Sequence, residues 1–160
     1  GALVRGCARS LMWRWLLYLW PLPVTLLGML VALIARSSGG VVKRVDGALE
    51  SAGGWPARVL RWGFPFSGAV AAITLGHVVL GVSLDALAAT RVHERAHVRQ
   101  FERWGALLLV LYPLAGLVAW LRGGHPYREN VFEREARAAE AAIQAQPGRT
   151  PSARIHSTGR

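Results

Sequence analysis

The chain carries a single cysteine, Cys7, in 160 residues. No intrachain disulfide can form and no cysteine zinc cluster can be built, so any metal must be held by histidine and carboxylate. Acids are also scarce: nine Asp and Glu stand against 19 Lys and Arg, a formal net charge of +10. Nearly all the bases are Arg, yet no dense basic stripe gathers them. They are interleaved with apolar runs, which argues against a nucleic-acid partner and for the anionic surface of a lipid membrane. No internal repeat is present.

What is abundant is apolar sequence: 52% of the residues, with a mean hydropathy of +0.29. The length suits one domain with a real core. Residues 15–35 run 21 positions without a charge, behind Arg5, Arg9 and Arg14. That predicts a membrane anchor over residues 1–36, with a signal peptide or a buried core helix as alternatives. Pro21 and Pro23 are expected to kink or restart it. Residues 37–146 form the expected folded domain, and the Pro-, Ser- and Arg-rich stretch 147–160 a disordered tail.

Within the domain, VVKRVDGALES (41–51) reads as a strand or a short amphipathic helix. AVAAITLGHVVLGV (69–82) is β-branched with Gly76 at its centre and reads as a β-hairpin turning near Leu75–His77, with a short membrane helix as rival. A helix is expected from Ser83, a good N-cap, to Trp104, with Asp85 in its first turn. Residues 105–121 are a second uncharged run, 17 long, with Pro113 at its centre. After the loop 122–130, Asn130 caps a final helix reaching about Gln146.

The chemistry is concentrated in His93-Glu94-Arg95-Ala96-His97. Residues four apart share a helix face, so His93 and His97 can offer imidazole nitrogens to one ion. Glu94 lies about 100° around the helix, in reach of an attacking water but poorly placed as a ligand. Two histidines, a third ligand and one open position are what a zinc peptidase needs, with Glu94 as general base. The third ligand has three candidates, since the position six after His97 is Arg103. Glu133 is preferred, because Phe132 and Ala136 would turn that side of the last helix inward. Glu135 and His125 remain open. His125 or Tyr127 is also a candidate donor to a transition-state oxyanion. His77 reads as a hairpin-turn or supporting residue, and Arg95, Arg99 and Arg103 as one solvated or lipid-facing stripe.

HERAH together with Phe132-Glu133-Arg134-Glu135-Ala136 resembles the gluzincin HExxH metallopeptidases. The pair is most similar to the membrane-embedded group that includes the CAAX-processing endopeptidase and the bacterial heat-shock membrane protease. That group's second motif is Glu-x-x-Ala-Asp; the chain matches its Glu and Ala and departs at Arg137, where the family has Asp. The resemblance covers about residues 69–142. It implies an α+β fold, a minimal zincin-like domain made of a β-hairpin, the HExxH helix and a Glu-bearing helix. It further implies His93, His97 and Glu133 as ligands of Zn²⁺, Glu94 as general base, and an edge strand at 69–82 that pairs with an extended peptide or protein substrate. The implied setting is a membrane, the bacterial inner membrane, with the side of the active site left open. An inactive zinc-binding protein, or a small structural membrane protein, is the alternative.

One geometric consequence follows. His97 and Glu133 must approach one ion, and a straight span by 105–121 would leave them on opposite sides of a ~30 Å hydrocarbon layer. The run is therefore expected to turn back at Tyr112-Pro113 as an apolar hairpin or to lie monotopically, with a soluble core as the alternative.

Overall fold

The computed structural model describes residues 20–63 and 70–145. The leading basic residues and the tail expected over 147–160 lie outside the described residues. Helix α1 spans Leu22–Ser37, and strands β1 (Val41–Val45) and β2 (Ala48–Ala52) follow. Helix α2 spans Gly54–Trp62, before strands β3 (Ala72–Leu75) and β4 (Val78–Gly81). Helix α3 is Leu84–Trp104, a 3-10 turn covers Gly105–Leu107, α4 is Leu108–Leu121 and α5 is Val131–Gln144. The α+β class matches expectation.

The four strands form one mixed sheet in the order β1-β2-β4-β3. Each hairpin closes through two residues. Asp46 and Gly47 both take positive φ, 42° and 85°, and close β1 antiparallel onto β2; Asp-Gly is the favoured pair for such a turn. Gly76, φ 63°, turns β3 into β4 as the hairpin reading of 69–82 predicts. The hairpins join through a parallel β2–β4 pairing, and β3 is left at the sheet edge.

Strand alternation divides the core into two layers. Val78 and Leu80 pack with Ala32 of α1 and Leu60 of α2 on one face. Val79, Ala52 and Ala72 pack with Leu87 and Val98 of α3 on the other. β4 is consequently buried along its whole length. Gly28 lets α1 lie close on β4: a Cβ there would stand 2.8 Å from the Val78 Cβ. The described half of the expected anchor is thus built into the domain's own packing. Its opposite face, including Leu26, Leu30 and Leu33, is exposed.

Helix α3 starts where its cap predicts: Ser83 Oγ accepts from the Ala86 N–H at 3.1 Å. It ends at Gly105, φ 56°, against which the Trp20 indole packs. A third cluster, Val24, Phe101, Leu108 and Phe132, gathers the starts of α1, α4 and α5 around the end of α3. Among the described residues, Leu84–Leu121 is the one helical stretch long and apolar enough to cross a membrane, by length and composition alone. Its uncharged half lies after the Gly105 break.

The expected hairpin at Tyr112-Pro113 does not form. α4 runs unbroken through Pro113, which removes one backbone donor but does not by itself reverse a chain. Reversal comes later, at Gly123 with φ 80°. Residues 122–130 then fold back along α4. Gly116 lies against the Pro126 carbonyl, and Asn130 Nδ2 donates to the Tyr112 carbonyl at 2.9 Å. The chain thereby returns along more than half of α4 before α5 begins.

Candidate metal centre

That return brings α5 against α3. Asn130 caps it, its side-chain oxygen accepting from the Phe132 N–H at 3.0 Å. Phe132 and Ala136 are buried and hold the helix inward, and Glu133, 2% exposed, comes with them. His93, His97 and Glu133 then converge. Nε2 of His93 lies 3.2 Å from Nε2 of His97. Glu133 Oε2 is 3.4 Å from the first nitrogen, and its Oε1 is 3.2 Å from the second.

These three residues could hold a metal ion. Ligands at zinc bond lengths of 2.0–2.1 Å in a tetrahedral arrangement sit about 3.3 Å apart, which is the spacing found. The donor chemistry agrees. Two imidazole nitrogens facing each other cannot both donate: either one donates to the other, or both turn lone pairs on a cation between them. Glu133 Oε2 is buried without a hydrogen-bond partner among the described residues, so one acceptor remains for such a cation.

The surrounding residues hold the three in place. Gln100, 3% exposed, sets its Oε1 2.9 Å from His97 Nδ1. The Gln100 amide is oriented by its Nε2, which donates to the Phe132 carbonyl at 3.0 Å and to Glu135 Oε2 at 3.1 Å. Its oxygen therefore requires a proton on Nδ1 and leaves Nε2 of His97 as the lone pair. His93 Nδ1 faces the Glu140 carboxylate at 3.8 Å. Tyr112 Oη donates to Glu133 Oε1 at 2.6 Å. Arg137 reaches Glu133 Oε2 at 3.5 Å and donates to the Arg128 carbonyl.

Glu94 points past the cluster toward the sheet edge. Thr74 Oγ1 of β3 donates to its Oε2 at 2.7 Å. Burial pushes the Glu94 carboxyl up from its ordinary range, against the opposing pull of His97, Thr74 and His93. At Glu133 burial pushes upward too, but the adjoining His93 and His97 imidazoles and the Tyr112 hydroxyl prevail and hold that carboxyl well below the usual range. Tyr127 is raised to about 12 by burial and by the neighbouring Glu133 charge, so it stays a neutral phenol at pH 7.

The other candidates fall elsewhere. Glu135, exposed, turns to Gln100 and away from the histidines. His125 is exposed, and its Nδ1 accepts the backbone N–H groups of Tyr127 and Arg128, each at 3.2 Å. His77 is buried at the β3–β4 turn, between Thr25 (3.4 Å) and Glu102 (3.3 Å). Tyr127 does line the cleft beside the cluster. Thr74, Gln100, Tyr112 and Glu140 were not expected here. Gln100, three residues after His97, and Glu140, seven after Glu133, share the helix faces of those residues and could be read from spacing. Nothing local announces Thr74 or Tyr112.

The cluster forms one wall of a cleft of about 700 Å³ bounded by β3, α3, α4 and the 126–130 segment. No family model, curated protein or solved structure matches the chain.

Proposed function

We propose that the protein is a membrane-associated zinc peptidase of minimal zincin-like build, with His93, His97 and Glu133 as metal ligands. The observation that carries this reading is the convergence of those three side chains at tetrahedral spacing, with the buried Glu94 beside them in an open cleft. Zinc held there would act as a Lewis acid on the scissile carbonyl and lower the pKa of an attacking water. Glu94, held by Thr74, takes the proton from that water and delivers it to the leaving amine. Tyr127, a neutral phenol at the cleft, is the donor suited to the developing oxyanion. The edge strand β3, unpaired on its outer side among the described residues, offers an extended peptide its backbone groups. The uncharged surface of α4 and the outer face of α1 support attachment to a bilayer, and with it a membrane localisation.

Arg137 favours a second reading. Its guanidinium lies 3.5 Å from the Glu133 oxygen that a metal would use, which suits a zinc-binding protein without turnover. One experiment separates the two: metal content and peptide hydrolysis, measured on wild type, Glu94→Gln and Glu133→Ala. A peptidase holds about one zinc, keeps it but loses turnover in Glu94→Gln, and loses both in Glu133→Ala. A zinc protein without turnover shows the same metal pattern and no hydrolysis in any of the three.

A further inference from the structure

The cleft contains more information than its metal ligands. Beyond His93, Glu94, His97 and Glu133, no charged side chain lines it among the described residues. One wall is the edge of β3, contributing Ile73 and Leu75 on either side of Thr74. The facing wall is α4, contributing Leu109, Leu117 and Trp120. These last three also belong to the exposed surface, at 46%, 47% and 58%. They are therefore the rim, where the cleft passes into the outer face of a helix with no charge from Gly105 to Leu121.

From this arrangement we infer that the cleft selects an extended, uncharged apolar peptide segment on both sides of the reacting bond, and that the α4 rim, Leu117 and Trp120 above all, sets that choice. The inference rests on the peptidase reading for the bond broken, but not for the discrimination itself. A segment lying along β3 would turn alternate side chains toward α4. An apolar side chain there removes area from water against Leu117 and Trp120. A Lys or Glu side chain would lose hydration, and the α4 wall offers it no opposite charge.

The test uses the full chain held in an amphipathic polymer, so that no free micelles absorb the peptide. Three fluorescent octapeptides are compared: one of Leu, Val, Ala and Thr only, one with two central Lys, and one with two central Glu. Binding is read by anisotropy on Glu94→Gln, and cleavage on wild type. The expected result is binding of the apolar peptide at least about tenfold tighter than either charged one. Leu117→Arg should weaken the apolar peptide and move preference toward the Glu peptide by about tenfold. Trp120→Gln, also at the exposed rim, should weaken the apolar peptide without favouring either charge. Equal binding of the three peptides, no binding of any, or a preference unmoved by both rim variants would overturn the inference. Discrimination in binding without cleavage by wild type would leave it standing and overturn the peptidase reading instead.

Discussion

The side-chain oxygen of Gln100 lies 2.9 Å from Nδ1 of His97, and that contact decides which imidazole nitrogen can face Glu133. The same amide donates to the Phe132 carbonyl of α5. Gln100 thus ties His97 on α3 to the helix that carries Glu133. Gln100→Leu should lower zinc affinity roughly 10–100-fold. Competition with a chromogenic chelator measures this; an unchanged affinity would mean that packing alone orients His97.

Thr74 holds Glu94 from the neighbouring strand. Thr74→Val keeps the shape, removes the 2.7 Å hydrogen bond, and touches no ligand. Turnover should fall roughly tenfold, with zinc content unchanged. Steady-state kinetics beside metal analysis separates this from a folding defect, in which zinc would be lost as well.

Zinc should stabilise the fold through Glu133. At zinc 100-fold above its Kd the gain is about 2.7 kcal/mol, because the site joins α3 to α5. Thermal unfolding with and without zinc should show a rise in Tm for wild type and none for Glu133→Ala. A rise of equal size in both would place the metal elsewhere.

Gly28 permits the contact between α1 and β4. A Cβ there would meet the Val78 Cβ at 2.8 Å and the Leu75 carbonyl oxygen at 2.9 Å; the second is backbone and cannot swing aside. Gly28→Val should cost about 1–3 kcal/mol in denaturant unfolding. No loss would show that α1 can lift from the sheet, as an independent anchor would.

Leu114 and Val118 lie on the exposed side of α4, at 49% and 42%, and do not line the cleft. The double substitution Leu114→Glu/Val118→Glu should reduce partitioning onto anionic vesicles roughly tenfold while leaving zinc content intact. Vesicle flotation reads the outcome. Undiminished binding would move the membrane contact away from α4.

Local spacing alone determined a large part of this protein. Ser83 and Asn130 mark two helix starts, Gly76 marks a turn, and the four-residue interval from His93 to His97 puts two imidazoles on one face. Each depends only on backbone period and capping, which neighbours in the chain set. That Glu133 rather than Glu135 turns inward was legible in the same way, from Phe132 and Ala136 four apart. The Asp46-Gly47 turn was equally local, but it lies in a segment whose pattern fits strand and helix alike. Tertiary structure alone decided the rest. The parallel β2–β4 pairing and the contacts of Thr74 with Glu94 and of Tyr112 with Glu133 join residues 20 or more apart in sequence, and the return of residues 122–130 sets Pro126 on Gly116 and Asn130 on Tyr112. No periodicity records such pairings, because they are selected by the burial of both sheet faces and by the hydrogen-bonding needs of buried carboxylates. The reversal at Gly123 rather than Pro113 has the same origin. A proline costs a helix one hydrogen bond, whereas docking Asn130 on Tyr112 and Phe132 into the core satisfies many groups together.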